Sequence, residues 1–276
     1  MNLNKGQFWD TTENAFRGCC RVSVGCEHCW AERFAWRHAH NDKIKHLYTG
    51  VIDKKGWTGH INYNPDWWVR LSRVKTPQKV LFNCMGDLFA GPKVSGATDP
   101  ETLLNMPIVT EHHARIVQCL EQIRSLHWHL FIVPTKRPPF TPLFFDADRP
   151  IKNLILLASV EDQAAADERL PLISKCRPYV GAVGAICEPL LAHIEISHHL
   201  PGLDWVLVGG ETGHGARFMH PFAAGKILKD CRAAGVPFFF KQWGRANRAL
   251  SSSGRVIAGE IHNAGPNIWA EWGKGL

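Results

Sequence analysis

Six short apolar runs mark the chain at 80–84, 130–133, 154–158, 180–185, 205–208 and 237–240. Each is nearly continuous in hydrophobic residues rather than alternating with polar ones. Such runs are expected to be strands buried on both faces, as in a parallel sheet. Longer helical or loop segments separate them, and 162–173 and 221–234 read as helices. A further strand ahead of residue 19 brings the total to roughly seven β/α units. That predicts an α/β fold closing into a partial or complete parallel, TIM-like barrel. Residues 31–38 also read as a helix, with an apolar stripe at Ala31, Phe34 and Ala35. Residues 40–78 are irregular and contain Trp57, Trp67 and Trp68. They read as an insertion in a single domain spanning 1–276.

The chain's 276 residues are ample for a full hydrophobic core. No apolar stretch reaches the roughly 18 residues of a membrane span, and the first seven residues hold no signal-peptide core. A soluble, cytoplasmic protein without membrane association is expected. Nine cysteines without a secretion signal argue for metal binding or catalysis rather than disulfides. Five of them, Cys84, Cys119, Cys176, Cys187 and Cys231, are scattered and suit small buried apolar positions. The net charge of +7 favours a polyanionic partner, such as a nucleic acid or a nucleotide.

The chemistry concentrates first in Cys19, Cys26 and Cys29, spaced C-x6-C-x2-C with Gly25 just before the second thiol. Thiolates this close together bind soft metals, zinc or iron–sulfur clusters above all. Three ligands leave one coordination position open, as reactive metal sites require. A zinc site completed by His28, His38 or His40 is an alternative, for nucleic-acid binding or metal-assisted hydrolysis. Cys20 is a second candidate for the first ligand.

The predicted strands end in polar sequence, where barrel enzymes gather reactive groups. These ends are Met85-Gly86-Asp87, Thr135-Lys136-Arg137, Ser159-Val160-Glu161, Cys187-Glu188-Pro189, Gly209-Gly210-Glu211 and Lys241-Gln242-Trp243. Asp87, Glu161, Glu188 and Glu211 can accept hydrogen bonds from ribose hydroxyls or an ammonium group. Lys136 and Arg137 can hold a carboxylate or phosphate. Gly209, Gly210, Gly213 and Gly215 would let a ligand approach the backbone closely. Glu161 could instead open the helix that comes after it. A hydrolase with Glu188 and Glu211 as paired carboxylates is a further possibility. Lys136, Cys187, Glu188, Glu211 and Lys241 are the catalytic candidates.

Taken together, these motifs, with Trp9-Asp10-Thr11-Thr12-Glu13-Asn14 leading into Gly18-Cys19, resemble a phage- and prophage-associated family. Its members are largely uncharacterised three-cysteine proteins with radical S-adenosylmethionine-like features. The resemblance implies a partial barrel carrying a [4Fe-4S] cluster on Cys19, Cys26 and Cys29. It further implies S-adenosyl-L-methionine as cofactor and an electron donor such as flavodoxin or ferredoxin. The implied activity is radical modification or repair of a nucleic acid base or nucleotide. Asp87 would lie near the methionine amino group and Glu161 near the ribose, with Ser159, Glu188, Gly209 and Gly210 completing the cofactor site. His28 fits the aromatic position often found before the last cysteine of radical enzymes.

Overall fold

The structure, a computed structural model, describes residues 5–91, 107–138, 144–247, 250 and 254–272. Seven parallel strands form its main sheet: β1 (Thr11–Glu13), β2 (Lys79–Phe82), β3 (Leu130–Thr135), β4 (Ile151–Ser159), β5 (Val180–Cys187), β6 (Trp205–Gly209) and β7 (Phe238–Gln242). They pair in chain order from β1 to β7, and among the described residues no ladder joins the two edge strands. The sheet is a partial barrel, not a complete one.

Four helices pack around this sheet or over its strand ends: α1 (Trp30–Ala39), α2 (Pro107–Ser125), α3 (Gln163–Ser174) and α4 (Pro221–Ala234). The first lies in the crossover from β1 to β2, and the others connect later strands. Asp162 caps α3 by accepting the Ala165 N–H at 2.9 Å. Asp162, not Glu161, therefore opens that helix.

The continuous apolar strands bury both faces, as their pattern requires. Val80, Phe82, Phe131, Val133, Leu156 and Val206 point outward into a core shared with Ile116, Leu120, Leu170, Ile173 and Ile227 of the helices. The alternate positions Leu81, Ile132, Ile155, Leu157, Leu207 and Phe239 point inward. Phe8 fills this interior, its ring edge-on to Trp205 and Phe239 at 5.6 Å from each. Trp269 adds a further edge contact with Trp205 at 5.3 Å. These rings occupy the barrel interior below the cleft at the C-terminal strand ends.

Residues 40–78 contain little regular structure: a 3-10 turn at Lys45–Tyr48, a small hairpin pairing Ile52–Asp53 with Gly56–Trp57, and a helix at Val69–Arg73. Asn62–Tyr63 pairs with Phe16–Arg17, which ties the segment to the stretch just before the cysteines. The expected stripe on α1 is only partly correct. Ala31 and Ala35 are buried, but Phe34 is 41% exposed. Alanine's small side chain lets α1 lie close to its support and leaves its bulkier face outside. No helix among the described residues is long and apolar enough to cross a membrane.

Candidate metal centre and its cleft

A cleft opens at the C-terminal ends of the strands, enclosing about 1080 Å³ of empty space that is partly continuous with solvent. Every strand or the loop after it supplies part of the wall: Cys19 and Cys20 beyond β1, Asp87 beyond β2, Thr135 in β3, Ser159 in β4, Glu188 beyond β5, Gly210 beyond β6, and Lys241 in β7. Cys26 and Cys29 complete it from the loop that leads into α1. Parallel strands all end on the same side, which is why residues more than 200 positions apart in sequence share one cavity.

All nine cysteines are free of disulfides. Burial pushes the Cys19 thiol up to about 12, against the opposing charge of Arg137. Burial also raises Cys29, while the backbone N–H groups of Glu32 and Ala31 at the start of α1 oppose that rise. A bound cation displaces such thiol protons, so this donor set suits a soft metal group. Cys20 also reaches the cleft, but an Arg137 N–H donates to its sulfur at 2.9 Å and another bond from Arg137 ends on its carbonyl at 3.1 Å.

Away from the cleft, Asp167, His198 and His199 place three ligating atoms within 4.8 Å of one another.

The cysteine loop is clamped from beneath and from the side. A Cβ on Gly25 would lie 2.9 Å from the Glu161 carboxyl carbon, so only glycine lets the loop settle there. Glu161 is 1% exposed and receives Arg169 at 2.9 Å. Its other oxygen, Oε1, is buried without a hydrogen-bond partner. Arg217 holds the side of the loop. It donates to both oxygens of Glu211, to Glu27 at 2.9 Å and to the Val24 carbonyl at 2.8 Å.

The candidate residues separate once their partners are known. Asp87 lines the cleft, but its carboxylate already accepts Thr135 Oγ1 and the Lys136 and Phe89 N–H groups, with Arg137 alongside at 3.4 Å. Glu188 lines it too and receives Lys241 Nζ at 2.7 Å on both oxygens. Glu211 is paired with Arg217, so the two glutamates are separate ion pairs. Lys136 is on the wall, and its ammonium makes no ion pair among the described residues. Ser159 and Gly210 line the cleft, whereas Glu161 and Gly209 stand behind its surface.

One expectation needs correction. Cys187 is fully buried in the outer core, because the last residue of β5 points toward the helices rather than into the cleft. Gly210 and Gly213 line the cleft and are also packed tightly against protein: a Cβ on Gly210 would lie 2.2 Å from the Trp243 carbonyl, and one on Gly213 would lie 2.0 Å from that of His28. Arg169 and Arg217 join the site without any signal in the sequence. Each is an ordinary arginine there, and its role depends on a carboxylate reached through folding.

Solved structures offer a loose parallel. Spore photoproduct lyase complexed with dinucleoside spore photoproduct is 13% identical with a TM-score of 0.44, covering 72% of this chain and 55% of that one. A point mutant of spore photoproduct lyase is 14% identical with a TM-score of 0.44, covering 78% of this chain and 58% of that one. The chain thus spans a little over half the length of those proteins, and nothing about function transfers at this level. No curated protein matches the chain. A family profile described as "Protein of unknown function (DUF5131)" matches residues 4–266, and the chain belongs to that family.

Proposed function

We propose that this protein is a single-domain radical S-adenosylmethionine-type enzyme acting on a nucleic acid base or nucleotide. The observation that carries the reading is the meeting of Cys19, Cys26 and Cys29 in a cleft walled by the ends of all seven parallel strands. Cys19, Cys26 and Cys29 would hold a [4Fe-4S] cluster, with Cys20 committed to Arg137. When bound, the cluster and S-adenosyl-L-methionine supply one-electron cleavage of the sulfonium and hydrogen abstraction from substrate.

The chain's own residues bind and orient. Lys136 has an ammonium available for the methionine carboxylate. Glu161, buried behind the cleft wall, supports the cysteine loop beneath Gly25. The Glu188–Lys241 pair offers both a donor and an acceptor to substrate. Asp87, already saturated, positions Lys136 and Arg137 rather than binding the amino group directly. The net charge of +7 supports an anionic, nucleotide-containing substrate. Nine free cysteines support a reducing, cytoplasmic setting, where flavodoxin or ferredoxin would deliver the electron. A phage or prophage origin rests on the sequence resemblance alone.

Anaerobic purification followed by iron, sulfide and absorbance measurements tests this reading. About four irons per chain, lost in Cys26→Ala, together with release of 5′-deoxyadenosine on reduction, is the expected result. One zinc per chain and no iron after anaerobic reconstitution sinks it.

A further inference from the structure

The outer face of α1 is built in the wrong sense for a helix serving only as support. Trp30, Arg33, Phe34 and Arg37 follow the i, i+3, i+4, i+7 spacing of one helix face. That face is exposed, with Trp30 at 40% and Phe34 at 41%, while alanines occupy the buried side. The rings are set edge-on at 5.6 Å, and the Arg37 guanidinium lies 4.3 Å from the Phe34 centroid.

This face forms one wall of a shallow groove. Thr212, Gly213, His214 and Arg245 form the other. Trp30, Thr212 and Gly213 also line the cleft, so the groove runs into its mouth. No carboxylate lines the groove among the described residues, and Arg33, Arg37 and Arg245 make no ion pair there. Acids close by are already engaged: in the adjoining hollow Glu32 receives Arg21 at 2.6 Å and Glu27 receives Arg217 at 2.9 Å, and Glu211, next to Thr212, is also paired with Arg217.

We infer that this groove binds single-stranded nucleic acid and leads one nucleotide into the cleft. Stacking surfaces alternating with unpaired arginines match the repeating base and phosphate of a single strand. Trp30 to Arg37 spans about 10 Å of helix, enough for about two nucleotides. Duplex does not fit, because its base faces are already stacked on each other and unavailable to Trp30 and Phe34. The inference rests on the proposed function only for what happens to the nucleotide in the cleft.

Fluorescence anisotropy with labelled oligothymidylate, oligouridylate and a duplex tests it on the full chain. The wild type is expected to bind a single strand more tightly than the duplex; the first two probes decide between DNA and RNA. Phe34→Ala should weaken single-strand binding about 5- to 150-fold with the salt slope unchanged. Arg33→Glu with Arg37→Glu should weaken it at least about tenfold and make the log–log salt slope shallower by about 1.4, or about 0.7 per lost phosphate contact. Photocrosslinking of halogenated oligonucleotide to wild-type protein, mapped by mass spectrometry, should mark the peptide containing Trp30 and Phe34.

Absent single-strand binding, unchanged affinity in correctly folded variants, or crosslinks only elsewhere would each overturn the inference. So would sedimentation showing that the face joins two copies of the chain. Binding is read with or without iron, which separates the two proposals. Iron loading without groove-dependent binding refutes the groove alone. Groove-dependent binding by a chain that takes up no iron refutes the radical-enzyme reading alone.

Discussion

Arg217→Ala should destabilise the protein and loosen the cysteine loop at once. The guanidinium joins three groups: the buried Glu211, the exposed Glu27 and the Val24 carbonyl. The Glu27 pair is exposed and contributes a few tenths of a kcal/mol. The bond to Val24 contributes about 1 kcal/mol. Stripping a fully buried carboxylate of its partner costs about 3–5 kcal/mol. Arg217 is itself 30% exposed, so water can partly replace it, and the Glu211 share falls to about 1.5 kcal/mol. The sum is about 3 kcal/mol, or a melting temperature lower by about 6–12 °C at 2–4 °C per kcal/mol.

The loss should depend on pH in a defined direction. Burial pushes the Glu211 carboxyl up, but the Arg217 hydrogen bonds and charge more than compensate and hold it below the usual carboxylate range. Its contribution is therefore full above the unfolded value of about 4.3 and is lost as pH falls through the lower folded value. In Arg217→Ala only burial remains, and the ionised carboxylate becomes a liability at neutral pH. Chemical denaturation from neutral to acid pH should show the gap between the two proteins widest near neutrality and shrinking below about pH 5. Arg217→Lys should recover part of the difference. A gap below about 0.5 kcal/mol, or one independent of pH, would refute the role of Arg217 as the clamp on Glu211.

Gly25→Ala should cost about 1–3 kcal/mol in denaturant titration and lower iron loading, because its Cβ meets a Glu161 side chain already held by Arg169. Cys19→Ala should abolish iron loading while Cys20→Ala largely preserves it; equal losses on iron analysis would contradict the assignment of Cys20 to Arg137. Cys187→Ala should leave iron content intact and lower stability by about 1 kcal/mol, as expected of a small core residue.

Strands β2 to β7 are legible because burial on both faces writes a nearly unbroken apolar run, and the observed strands fall on those runs with small changes at the ends, whereas β1 (Thr11–Glu13) is polar and carries no such run. Helix α4 spans 221–234 as expected, opening at Pro221 and closing before the left-handed Gly235. The long helix α2 and the late hairpin pairing Val256–Ile257 with Glu260–Ile261 lie outside the expected elements. The hairpin strands are two residues each, too short for a period to register. Phe34 lands on the exposed side of α1 rather than the buried one, because spacing alone defines a helix face but not whether that face meets protein or solvent.

The sequence by itself determined the parallel α/β architecture, the group of three thiols and the polar ends of the strands. These are local properties: hydrophobic runs and residue spacing survive without knowledge of distant partners. Tertiary structure alone decided that the barrel stays open, that Cys187 faces the helices and that Glu188 and Glu211 are separate ion pairs. It also decided that Gly213 accommodates His28 and that Trp30 joins the groove to the cleft. Each of these depends on contacts across long stretches of chain, and no local pattern records which partner a charge or a small residue will meet.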